Sequence, residues 1–273
     1  MLASIANAAD VLIVNDNSPG ASPHTATLEA SPFGRRARLI VDRTPFEGFG
    51  SARNVCLKLH EEHGAGEWVA FVDADEVHDA RSIATIAANL SRVPAAFDFV
   101  DGYTWHFFGS FDYYTSIERR MAFFRFTREA RWELPVHERL TGIVGKRVAL
   151  PYVYGHYAHT LEPRRHAEKG RHYSSLGAPG GVLAEDQLDS FDVADYFKPE
   201  YPRLLRFTGA HPRDALPVLE RLRPSLAAHH ALTQRIVAAQ ASPVKVRNAL
   251  RKVNYELRWR GRALDPLARR LVH

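Results

Sequence analysis

Sulfur is scarce in this chain, with one cysteine, Cys56, and two methionines in 273 residues. A single thiol excludes an internal disulfide framework and fits a reducing compartment. Long apolar runs are missing too: none approaches the ~18–20 residues that a membrane span requires. No basic segment followed by an apolar stretch opens the chain, so no secretory signal is read there. There is no internal repeat, no low-complexity tract and no glycine-rich phosphate loop. The net charge of +5 does not describe the whole length, because residues 241–273 hold nine Lys/Arg against Glu256 and Asp265, which leaves the first 240 residues at −2. A basic tail on a near-neutral body argues against a nucleic-acid groove across the domain, and no nucleic-acid partner is expected.

What is present suits a globular α/β protein. Hydrophobic residues make up 45%, enough for a core, and the length fits one large domain or a domain with an appendage. The stretch WVAFVDADEV at 68–77 organises the rest. Its five leading apolar residues read as a strand buried on both faces. The strand delivers Asp73, Asp75 and Glu76 to its carboxyl end, where open α/β sheets bind ligands. Oxygen ligands there suit Mg²⁺ or Mn²⁺. A strand that merely stops at a solvated acidic turn would look the same.

Around it, VLIV at 11–14 and RLIVD at 38–42 read as short strands, the first buried and followed by a turn over 15–20. Ser51 is placed to cap a helix over 52–63, and 80–90 is an amphipathic helix. Strand, helix and strand alternate, the pattern of a mostly parallel sheet. Later, 97–108, 120–126, 136–140 and 147–153 are aromatic-rich strand candidates that build on the same sheet. A helix is expected over 163–176, a loop over 177–181, and mostly helix from 187 onward. Pro243 opens a last helix with Val246, Leu250, Val253 and Leu257 on one face.

Five segments, in order, resemble the inverting glycosyltransferases of family 2. VLIVNDNS at 11–18 looks like that family's second strand and turn. FGSARN at 49–54 looks like its G-x-x-x-A-R-N segment, and WVAFVDADE at 68–76 like its strand ending D-A-D-E. RWELPVHE at 131–138 and YGHYAH at 154–159, leading to Lys169 and Tyr173, look like elements of the bacterial lipopolysaccharide-core and surface-glycan branch. The likeness covers about residues 2–176. It implies a GT-A fold: a Rossmann-like mixed sheet flanked by helices, spanning 1–160, with a helical extension over 161–273 that ends in a basic amphipathic helix. The family's first strand, which forms part of the base pocket, has no counterpart before the opening helix here. Asn15 stands where the family has an acid, with Asp16 beside it.

The resemblance implies a donor that is a UDP- or GDP-linked sugar and a divalent cation, Mg²⁺ or Mn²⁺, on its diphosphate. Asp75 would be the direct metal ligand, with Asp73 on the ribose or on a metal-bound water. His156 or His159 would supply a late ligand, and Glu76 would either support the metal through a bound ligand or orient the turn. Asn15, Asp16, Arg53, Asn54 and Lys169 would contact the donor, the middle pair from the first turn of a helix, where N–H groups favour anions. Glu138 would be the base on the acceptor hydroxyl, helped by His137, with Asp112 as the substitute. Structural roles compete for several of these: Arg53 could only brace Asp73, and Glu138 could only pair with Arg131 or Arg139. Trp105, Phe107, Phe108, Tyr113 and Tyr114 would either stack on acceptor sugars or fill the core.

Three functions are carried forward. The first is an inverting glycosyltransferase acting on a glycan or lipid-linked acceptor, cytoplasmic and peripheral on the inner face of the membrane. The others are a metal-dependent nucleotidyltransferase and a catalytically impaired glycan- or nucleotide-binding protein. The basic tail helix either lies on an anionic leaflet or packs on the domain with a solvated face.

Overall fold

The computed structural model describes residues 1–18, 20–31, 38–178 and 183–273. Pro19 and residues 179–181 of the expected turn and loop lie outside these. The chain opens with a short helix α1 (Leu2–Ile5), then β1 (Val11–Asn15), α2 (Thr25–Ala30) and β2 (Arg38–Asp42). β1 and β2 run parallel, Val11 opposite Arg38 and Asn15 opposite Asp42, as a separate two-stranded ribbon. Every residue of β1 is only half-buried, so the buried strand read at 11–14 is corrected: its one ladder partner among the described residues is β2.

α3 (Phe49–Glu62) begins earlier than the Ser51 cap implied, behind Gly48 at φ 118°. The reason is a close approach. A Cβ on Gly50 would stand 2.4 Å from the carbonyl oxygen of Leu134, and one on Gly48 would stand 2.9 Å from the Pro135 side chain. Only glycine lets this helix start against that loop. Next come β3 (Trp68–Val69), β4 (Glu76–Val77) and α4 (Ala80–Asn89), the last capped by the Asp79 carboxylate on the Ser82 N–H. The long strand expected from Trp68 is thus two short ones. β3 pairs antiparallel with the end of β6 (Tyr113–Arg125), through Trp68 opposite Arg125, and Ala70 to Val72 continue without a ladder.

Length resides in β5 (Phe97–Phe108), β6 and, after the small hairpin β7 (Arg131–Glu133) and β8 (Arg139–Thr141), in β9 (Lys146–His159). α5 (Pro163–Ser175), α6 (Val193–Tyr196), β10 (Leu205–Arg206), α7 (Leu216–Ala238), α8 (Ser242–Arg260) and α9 (Pro266–Val272) complete the chain. The main sheet runs β10-β6-β5-β9-β4, with β3 on the same outer edge of β6 as β10. β5 is antiparallel to β6 and parallel to β9, so the sheet is mixed.

Alternation sends side chains to two cores. On one face Ile83, Ile86, Val100, Val148 and Leu150 pack with Ala268 and Leu271 of α9. Each fully buried Val, Leu or Ile among them contributes about 1.5–3 kcal/mol. On the other, Tyr103, Phe107, Phe111 and Tyr114 meet Leu219 and Leu226 of α7. The aromatic cluster considered for sugar stacking is therefore core, with Phe107 and Tyr114 each 1% exposed. The C-terminal region also closes this body, since α9 fills the first core and β10 extends the sheet.

Candidate functional site

The Asp-x-Asp turn is closed on itself. The Glu76 N–H donates to the Asp73 carbonyl at 3.0 Å, and the Asp73 N–H donates to Glu76 Oε2 at 3.2 Å. β4 then pairs with β9 so that Glu76 faces His156, and the Tyr157 N–H donates to the Asp75 carbonyl at 2.9 Å. This register, which no local pattern announces, brings His156 Nε2 to 3.4 Å from Asp75 Oδ1. Lys169, reaching from α5, places Nζ 3.5 Å from Asp75 Oδ2 and over the Tyr173 ring.

Burial by itself would raise the Asp75 carboxyl, but the imidazole of His156 and the ammonium of Lys169 outweigh it and hold the group below its ordinary value. Burial, with the neighbouring Asp73 charge, pushes Glu76 up to about 8. The two adjacent carboxyls are thereby driven apart, Asp75 toward the ionised form and Glu76 toward the protonated one.

Arg53 approaches the same turn from α3. Its guanidinium donates to Asp73 at 2.9 Å and pairs with Glu138 at 2.7 Å, while lying over Phe71 and Trp132. Because α3 starts at Phe49, Arg53 and Asn54 sit in its second turn and not its first, so the free N–H groups of the helix start are not theirs. Asn54 is a clamp instead: its Nδ2 donates to the Trp132 carbonyl and its Oδ1 accepts from the Trp132 N–H, both at 2.8 Å. This fastens the β7–β8 hairpin to α3. The hairpin loop holds Leu134 at φ 72° and His137 at φ 56°, a left-handed conformation uncommon outside glycine, and leaves His137 exposed beside Glu138.

The other sequence candidates have partners of their own. Asp16 is buried and held far below its ordinary value by Ser22, Ser18 and Arg43, and Asn15 donates to Asp42 at 2.6 Å. Both brace the β1–β2 ribbon. Asp112 pairs with Arg223 at 3.3 Å and His230 at 3.5 Å on α7, apart from the Asp73–Asp75 cluster. His159 meets His166 across 3.0 Å.

Three residues join the site that spacing could not show. His106 Nδ1 lies 3.0 Å from His156 Nδ1, and its Nε2 lies 3.5 Å from Glu118, which Arg120 also approaches at 3.6 Å. Burial pushes His106 down to about 3, so it is neutral, and one Nδ1–H is shared between the two rings. His106, Glu118, Arg120, His159 and His166 line a cavity of about 760 Å³ with Tyr196 and Phe197 on its far wall. The signal for His106 was its place between Trp105 and Phe107, opposite in face to both; its partners depended on strand pairing.

Among the described residues, no three His, Cys, Asp or Glu side chains converge as a metal cage. Asp75 Oδ1 is nevertheless buried without a hydrogen-bond partner, and His156 Nε2 stands beside it. Two such donors fit a hard cation that takes its remaining ligands from phosphate and water. A search of curated proteins finds no match to this chain. The mixed sheet flanked by helices, with its helical C-terminal region, is an α/β GT-A fold. The sequence model for glycosyl transferase family 2 matches residues 1–150, more than half of the chain, and the protein belongs to that family.

Proposed function

We propose that this nucleotide-sugar glycosyltransferase works with inversion, at the crevice where Arg53, Asp73, Asp75, Glu138, His156 and Lys169 meet. The observation that carries the proposal is the convergence of side chains from a helix, a hairpin loop, a strand and a second helix onto the Asp-x-Asp turn. The acceptor hydroxyl attacks the anomeric carbon from the side opposite the diphosphate. The new C–O bond forms as the bond to the diphosphate breaks, and the hydroxyl proton passes to a carboxylate.

Glu138 is the proton acceptor in this proposal: Arg53 engages its Oε1, and its Oε2 has no partner among the described residues. Arg53 and Lys169 place two cations beside the acids, where a diphosphate can take over their charge. A Mg²⁺ or Mn²⁺ ion would be held by Asp75 and His156, and would stabilise charge on the leaving diphosphate. Asp73, half-exposed at the rim, suits the donor ribose. The likeness of residues 131–159 to bacterial surface-glycan enzymes supports a glycan or lipid-linked acceptor and action on the cytoplasmic side. No helix among the described residues is long and apolar enough to cross a membrane.

The test is a thermal-shift series with UDP or GDP and Mn²⁺. Melting should rise for the wild type and stay flat for Asp75→Ala. An equal rise in the mutant would remove Asp75 from the site.

A further inference from the structure

α8 is amphipathic in the reverse sense of an ordinary surface helix. Its inner face is anchored by polar and aromatic groups: Asn248 donates to the Pro202 and Leu204 carbonyls, Arg251 to those of Arg203 and Thr115, and Tyr255 and Trp259 pack on the second core. Its aliphatic face points outward. Val246, Leu250, Val253 and Leu257 are 59, 66, 55 and 68% exposed, and Leu264 just beyond the helix end is 77% exposed. The surface beside Pro243, Val246 and Leu250 is open along the same strip.

The charges beside the strip say what covers it. At about 100° per residue, Arg247 and Arg258 fall along one edge and Lys245 and Arg260 along the other. All four are exposed. The one acid of α8, Glu256, is taken by Arg260 at 2.7 Å. A second copy laid on this strip would bring cations against cations, without carboxylates to offset them. An anionic surface with an apolar interior complements both parts.

We infer that the α8 strip docks on an anionic phospholipid leaflet, its aliphatic residues entering the acyl boundary and its edge cations meeting the headgroups. α8 packs on the sheet face that presents Tyr103 and Trp105, whereas His106 alternates to the other face, so docking leaves the His106–His156 side uncovered. The inference rests on the exposure of α8 and is independent of the transfer reaction.

Vesicle flotation of the full chain tests it, with phosphatidylcholine alone and with phosphatidylcholine–phosphatidylglycerol mixtures. Wild-type protein should float with the mixed vesicles and stay behind with phosphatidylcholine. The double variants L250D/L257D and R247E/R258E should each weaken binding about tenfold or more, with unchanged melting temperature because all four side chains are exposed. Absence of flotation, or flotation that L250D/L257D leaves intact, would overturn the inference. So would a dimer in vesicle-free solution that the same variant dissociates, since that outcome gives the strip to a second copy.

Discussion

The region around the Asp-x-Asp turn and the long sheet behind it are built on opposite terms. β5, β6 and β9 run 12 to 14 residues, are mostly buried apart from Glu118–Arg120 and the start of β9, and carry the aromatic core. β3 and β4 are two residues each, and the groups between them are half-exposed. Charge is handled differently as well. In the long sheet, Asp101 is 1% exposed and saturated by Arg119 and Arg147. At the turn, Asp75 keeps an oxygen without a hydrogen bond, and Arg53 divides itself between two carboxylates. The lesson is that the long sheet pairs its buried carboxylate fully, while the turn leaves a carboxylate oxygen open to a ligand.

The largest effect should come from the open region and appear in activity alone. Glu138→Gln keeps a hydrogen-bond acceptor for Arg53 but removes the base, and transfer should fall about 10²–10⁴-fold with donor binding retained. Its melting temperature should barely move. Ordinary transfer by this variant would shift the proton-accepting role to another group.

Asp101→Ala should do the reverse. Losing the shared partner of two arginines in a buried ladder should cost about 3 kcal/mol in a urea melt, with the folded fraction still active. A variant as stable as wild type would erase the contrast between the regions.

Asn54→Ala probes the seam between them. Two hydrogen bonds to Trp132 are lost, about 2 kcal/mol, and the hairpin that carries Glu138 loosens, so both stability and transfer should drop. If stability alone changes, the clamp does not position Glu138.

The smallest effect concerns acid. Burial pushes His78 down to about 3 and His166 and His229 to about 4, so all three are neutral when folded. Their contribution is complete above the unfolded value near 6.5 and is lost as pH falls toward 4, because the unfolded chain binds the extra protons. His229 has both ring nitrogens buried without partners and stacks on Phe197. His229→Leu should therefore flatten the decline in unfolding free energy between neutral pH and pH 5, by about one kcal/mol or more in urea melts. An unchanged slope would place the acid sensitivity in other groups.

Much of the fold was legible because it is local. Strand 97–108 has the bounds observed for β5, and Pro163 and Ser242-Pro243 mark the starts of α5 and α8. The reading failed where burial depends on a neighbour. VLIV and WVAFV look like buried strands, yet their burial and ladders are set by which strands lie alongside. The site divides in the same way. Asp73, Asp75, Arg53, Glu138, His156 and Lys169 were all visible as residues and do meet. That Glu138 pairs with Arg53, and not with Arg131 or Arg139, follows from the hairpin's seat on Gly48 and Gly50.

By itself the sequence determined the α/β class, the family over residues 1–150, the acids of the turn and the aliphatic stripe at 246–257. These are properties of composition, periodicity and short spacing, which survive in one dimension. Tertiary structure alone decided that His106 and Glu118 stand behind His156, that Asn54 is a clamp, and that the stripe of α8 faces outward. Each of those depends on strand register or on which face of a helix meets the body, and both are settled by contacts between segments far apart in the chain.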